Sequence, residues 1–265
     1  MFQQVEDFRA ESDALLSVIE PLNDAEFTQT TLFKGWTFND VLQHLHVWNR
    51  AAQQAAQDPD AFAVMLKELM AGLQQSSMRD LESESVGGIT GQRLLDAWRA
   101  GYNELCACFA DLDPKTRLKW AGPDMSARSS MTARQMETWA HGQAVFDRLG
   151  KKRKDRDSIR NIAILGVNTY GWSFKNRGLD APEPAPSVRL TAPSGATWEW
   201  NASANNDSVA GSAVEFCQVV TQTRNVADTA LQVVGENAKA WMSFAQCFAG
   251  PPENPPAPGS RHIQR

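Results

Sequence analysis

Between Met136 and Leu149 the chain reads METWAHGQAVFDRL, a stretch without a polar side wide enough to face water. On a helix, Met136, Trp139, Phe146 and Leu149 cover several sides, and Ala133, Ala140 and Ala144 line the face between them. A helix that is apolar nearly all round is a buried one, so this segment requires other helices packed about it. Glu137 and His141 are the exceptions. Four positions apart, they share one face with their Cβ atoms about 5–6 Å from each other. A carboxylate and an imidazole are thus aimed into the same interior space.

The rest of the chain supplies the surrounding helices. Val5, Phe8, Leu15, Val18 and Ile19 recur at helical spacing over residues 4–19. Thr37 with Asp40 forms a capping pattern for a helix running to about Gln57, where Asp58-Pro59-Asp60 breaks it. A shorter helix is expected over residues 61–71. A third long one starts near Thr90 with Leu94, Leu95, Trp98, Tyr102, Leu105 and Phe109 inward. Thr132 with Gln135 reads as the cap that opens the Glu137/His141 helix, and residues 158–174 are helical again. The texture changes at Asp180. The stretch APEPAPS is a proline-rich join, and SVRLTAPSGATWEWNA alternates as two strands around Pro193-Ser194-Gly195. In the second strand Trp198 and Trp200 share a sheet face. Helices follow near residues 211–221 and 237–248, and the tail from Pro251 is disordered or laid on the surface. The expected fold class is α+β: a helical bundle over residues 1–180, a small α+β domain over 187–250, and a proline-rich tail over 251–265.

Composition removes several functions. A net charge of -5 lacks the basic footprint of a nucleic-acid or anionic-membrane surface. The basic run Lys151-Lys152-Arg153-Lys154 reads as a solvated connector. The acidic N-terminal segment does not resemble a signal peptide, and no apolar run reaches membrane-spanning length, so a cytoplasmic location is expected. Cys106 and Cys108 point in different directions on a helix, and with Cys217 and Cys247 they read as small reduced core residues.

The histidines then narrow the site. His44 and His46 are about 200° apart on a helix and cannot both face one space. His46 shares its side with Asn39, Gln43, Asn49, Arg50 and Gln53, so it is expected to face water. His44 lies with Val41, Trp48 and Ala51 and points inward, with Trp48 one turn away as the best candidate for a pocket wall. Arg134, Arg148 and Arg160 are read as solvated. Spacing leaves two readings of Glu137, His141 and His44: a helix-stabilising pair beside a satisfied core histidine, or three ligands for a cation that compensates a buried carboxylate.

The stretches FKGWTFNDVLQHLHVWNR and METWAHGQAVFDRLG resemble the two metal-binding segments of the DinB/YfiT-like superfamily, in its mycothiol-dependent maleylpyruvate isomerase-like branch. The C-terminal half, through WMSFAQCFAGPP, is similar to uncharacterised actinobacterial-type metal-binding proteins of that branch. The resemblance implies a DinB-like four-helix bundle and assigns metal ligation to His44, Glu137 and His141. Two positions depart from the pattern. Gln143-Ala144 stands where relatives commonly have an acid, and Asn161 where they often have a histidine.

The function implied is that of a metal-dependent enzyme of the thiol-dependent isomerase or transferase type, acting on a small molecule. The alternatives are a metal-dependent hydrolase or hydratase, and a non-catalytic metal or small-molecule binding protein. The expected cofactors are a divalent metal, zinc before nickel or manganese, and a low-molecular-weight thiol. The expected partners are a small-molecule substrate and, as an option, a second copy of the chain in a homodimer; nucleic acid and membrane are excluded. No catalytic or thiol-binding residue is assigned.

Overall fold

The structure is a computed structural model that describes residues 1–202 and 206–264. It is α+β and divides into two compact units, Met1–Arg148 and Leu149–Arg265. The helical segment after the basic run, placed by sequence before a join at Asp180, therefore belongs to the second unit.

The first unit contains α1 (Gln3–Ile19), α2 (Phe38–Gln57), α3 (Pro59–Gly72), α4 (Met78–Ser85), α5 (Gly91–Ala110) and α6 (Ala127–Arg148). The four long helices close a ring: α2 lies on α5, α5 on α1, α1 on α6, and α6 on α2. Its interior holds Phe8 and Leu15 of α1, Leu45 of α2, Trp98 and Phe109 of α5, and Trp139 of α6. The start of α2 is the expected cap. The Asp40 backbone N–H donates to Thr37 Oγ1 at 3.1 Å, and the Thr37 N–H donates to Asp40 Oδ2 at 2.7 Å.

Two features of this unit differ from expectation. The first is the start of α6, which lies at Ala127 rather than at Thr132. Two short strands, β1 (Arg117–Leu118) and β2 (Met125–Ser126), pair antiparallel just ahead of it. Ser126 Oγ then accepts the Ser129 N–H at 3.1 Å and serves as the cap. Thr132 sits within the running helix. The second is α4, a helix that the polar stretch MRDLESES does not announce. Ser77 caps it by accepting the Asp80 N–H at 3.2 Å, and its buried position is an acid, Glu82.

The second unit contains α7 (Arg160–Asn168), α8 (Tyr170–Lys175), β3 (Ser187–Thr191), β4 (Thr197–Trp200), β5 (Ser208–Ser212), α9 (Ala213–Val220), β6 (Gln232–Val234) and α10 (Glu236–Phe244). The expected continuous helix is broken at Thr169, whose Oγ1 donates back to the Leu165 carbonyl at 2.8 Å. The hairpin forms as expected, with Val188 opposite Trp200. It is extended by two strands not expected from the sequence, giving the order β4-β3-β5-β6 with β3 and β5 parallel. Phe216 of α9 and Trp241 of α10 meet edge to face at 5.8 Å in the core of this unit. The tail lies along it: the Glu253 N–H donates to Gln246 Oε1 at 2.9 Å, and Arg261 Nη1 donates to the Gln222 carbonyl at 2.7 Å. Arg153, in the run read as solvated, is buried while its lysine neighbours are exposed.

Candidate functional site

Glu137 and His141 face His44 of α2 across the first unit. Glu137 Oε2 is 3.1 Å from His141 Nε2 and 3.5 Å from His44 Nε2. One ligand atom from each of the three lies within 4.8 Å of the others, and this is the one such group of His, Cys, Asp or Glu among the described residues. One oxygen and two imidazole nitrogens from two helices is a donor set that suits a divalent cation with open positions. The three side chains are largely enclosed, with 19%, 15% and 12% of the Glu137, His44 and His141 side chains exposed.

The orientation of His44 is set from behind. Glu82 Oε1 accepts the Trp48 Nε1–H at 2.9 Å and lies 2.8 Å from His44 Nδ1. An oxygen already acting as acceptor fixes His44 Nδ1 as a donor, which leaves Nε2 facing Glu137. Glu82 is the residue of this cluster missed in the sequence. It sits on the unannounced helix α4, is 1% exposed, and its second oxygen has no hydrogen-bond partner. His141 has no such support, because its Nδ1 is buried without a partner. Its ring is held by stacking instead, parallel to Trp36 at 5.4 Å and edge-on to Phe33 at 5.0 Å. Trp36 also meets His44 at 5.5 Å, so this indole walls one side of the site. Trp48, the expected wall residue, stands 6.3 Å from His44 on another side.

Burial works against charge at all three positions, and the outcome differs for each. Burial pulls the His44 pKa down, but hydrogen bonds to Glu137 and Glu82 overcome it and carry it up to about 9. Burial pushes Glu137 up, yet its bonds to His141 and His44 hold it well below the usual carboxylate range. Burial and the neighbouring His44 charge lower His141, against the attraction of Glu137. At neutral pH the set is an ionised Glu137, a protonated His44 and a neutral His141.

Two readings from the sequence are corrected. His46 is 8% exposed and not on a wet face, as are Gln43 at 4% and Asn49 at 1%. That polar side of α2 is the one laid on α5, where Gly101 leaves room for the imidazole: a Cβ there would meet His46 at 3.1 Å. Arg134 is 4% exposed rather than solvated, with its guanidinium 5.3 Å above the Trp120 ring. Of the departures noted above, Gln143 is buried and donates to Asp147 Oδ1 at 2.9 Å, away from the triad. A cavity of about 460 Å³ between α2, α3 and α4 has Glu82, Arg50 and Glu68 in its wall but none of the triad.

Residues 8–146 match the family described as the mycothiol maleylpyruvate isomerase N-terminal domain. Two uncharacterized proteins of Mycobacterium tuberculosis, from strains CDC 1551 / Oshkosh and ATCC 25618 / H37Rv, are each 37% identical over 248 residues, spanning 94% of this chain and 96% of theirs. Among solved structures, the crystal structure of the mycothiol-dependent maleylpyruvate isomerase matches with a TM-score of 0.54 at 14% identity, over 82% of this chain and 87% of that one. A histidine-to-alanine mutant of that enzyme matches over the same shares with a TM-score of 0.52 at 15% identity. At that identity the likeness to these two structures shows a common fold.

Proposed function

The chain belongs to the mycothiol maleylpyruvate isomerase N-terminal domain family, and on that premise we propose that it is a thiol-dependent enzyme of the isomerase type, acting on a small molecule at a divalent metal held by His44, Glu137 and His141. The observation that carries this reading is the convergence of two Nε2 atoms on one ionised Glu137 oxygen from two different helices. Zinc suits the set best, since two imidazoles and one carboxylate with an open position are its habitual catalytic ligands.

A bound divalent cation lowers the pKa of a thiol that it holds well below about 8.5 and so supplies a nucleophile at neutral pH. The protein's residues perform the remaining tasks. Glu137 contributes the anionic oxygen, on which both imidazoles converge. Glu82 keeps the His44 proton on Nδ1, so that Nε2 is the atom presented to the site. Trp36 and Trp48 limit water on two sides with apolar ring surface.

The reading is tested on the full chain loaded with Co²⁺ and titrated with a small thiol. A sulfur-to-cobalt band that appears in the wild type and in His46→Ala, and is absent in His44→Ala, Glu137→Gln and His141→Ala, is the expected result. Equal metal content in the wild type and all four variants removes the metal, and turnover of activated esters without thiol points to the hydrolase alternative.

A further inference from the structure

We infer that Arg134 is the anion anchor of this site, pairing with a carboxylate on the small molecule whose other end reaches the triad. Arg134 lies on α6 one turn before Glu137, and it is 4% exposed. Its Nε and Nη1 are buried without any hydrogen-bond partner. Its guanidinium lies over the face of Trp120, 5.3 Å from the ring centroid. The Glu137 charge attracts it, but Glu137 Oε2 is already shared by His44 and His141. An arginine does not escape burial by losing its proton, and an aromatic face compensates only part of a desolvated charge. A guanidinium left in this state has its donor fork free for a planar oxyanion.

The position of this fork connects it to the triad. His44 and Trp48 are 6.3 Å apart, Trp48 and Trp120 are 5.7 Å apart, and Trp120 underlies Arg134. From Arg134 a single turn of α6 leads to Glu137, which returns to His44 at 3.5 Å. These five side chains form a closed circuit with a cation at one point and the triad at another. Arg134 and Glu137 are three positions apart on α6, about 4.5 Å of axial rise, so a short molecule is the one to test for reaching both. Tryptophan faces along one side of the circuit suit the apolar body of such a molecule.

This deepens the proposed function and rests on the triad being the reacting centre. The probes are 3-mercaptopropionate and its uncharged counterpart 3-mercaptopropan-1-ol, each titrated into the full chain loaded with Co²⁺ and followed by the sulfur-to-cobalt band. The wild type binds the acid at least tenfold more tightly than the alcohol. Arg134→Gln and Arg134→Met lose that preference and bind the alcohol as the wild type does, while Arg134→Lys keeps part of it. Equal affinity for acid and alcohol in the wild type overturns the inference, and that comparison needs no variant. A preference kept in Arg134→Gln overturns it as well. Propionate titrated into metal-stripped protein by calorimetry separates this inference from the reading beneath it. If no cobalt band forms with any thiol, the thiol-metal reading fails, and propionate binding that is lost in Arg134→Gln still supports the anchor. Propionate binding absent from the wild type, or unchanged in that variant, removes it.

Discussion

His44 and His46, two positions apart on α2, are held in opposite protonation states at neutral pH. The Glu137 and Glu82 side chains carry His44 up to about 9 against its burial. Burial against α5, with a smaller push from Arg50, takes His46 down to about 4. One helix thus presents an imidazolium to the triad and a neutral imidazole to its neighbour.

A stability profile follows for metal-stripped protein. A raised pKa contributes stability that is complete below about 6.5 and is lost as pH rises toward 9, so His44 weakens the fold on the alkaline side. A lowered pKa does the reverse: the His46 contribution is present above about 6.5 and is lost as pH falls toward 4, by roughly 3 kcal/mol. Urea midpoints measured from pH 4 to 10 should therefore peak near 6.5. The acid arm should become shallower in His46→Gln, with the lowered His141 carrying what remains, and the alkaline arm should disappear on metal loading, which requires His44 without its Nε2 proton. An acid arm unchanged in His46→Gln, or an alkaline arm unchanged on metal loading, contradicts the assignment.

Glu82→Gln tests the support behind His44. Glutamine keeps the shape and one acceptor but removes one of the two charges that raise the His44 pKa, the other being that of Glu137. On the proposed metal reading, metal affinity should fall by about 10–100-fold, the usual effect of removing the group behind a ligating histidine, with His44, Glu137 and His141 still in place. The His44 titration followed by NMR should move down together with it. An unchanged affinity and an unchanged titration would show that Glu82 only fills space.

Gly101→Ala probes the contact between α2 and α5. The added methyl would lie 3.1 Å from His46 Cε1 and Nδ1, a crowding that costs about 1–3 kcal/mol. The helix preference for alanine returns about 0.5–1 kcal/mol, leaving a net loss. Combining it with His46→Ala should cancel most of that loss, so the two changes together should be far from additive in denaturant melts. Additivity would mean that the imidazole is not what the glycine accommodates.

The inward faces of the three triad residues were legible because helical phase is legible, whereas their reading as one site came from the resemblance of two sequence stretches. Glu137 and His141 needed only the i,i+4 rule, and His44 only its neighbours Val41, Trp48 and Ala51. The same reasoning misplaced His46 and Arg134, because a wheel equates polar with wet. Here α2 buries His46 against Gly101 of α5, with Gln43 and Asn49 also buried, and a tryptophan ring covers Arg134. Glu82 was out of reach for a different reason: α4 is short and polar, and its inward residue is an acid. The strand β5 reads SVAGS, with one large apolar side chain among small residues, and β6 has three residues, so neither shows an alternation.

Trp36 immediately precedes Thr37, the residue whose hydroxyl begins α2. The Trp36 N–H donates to the Phe33 carbonyl at 2.9 Å, its own carbonyl accepts the Thr31 N–H at 2.7 Å, and Thr30 bridges to Thr37. The indole that stacks on His141 and the cap that starts the helix of His44 are thus adjacent links of one short loop. An error in where that helix begins displaces a wall as well. In a survey of tolerated substitutions, Thr37 and Asp40 should accordingly be as intolerant as the residues around the triad, although neither is one of the three converging side chains.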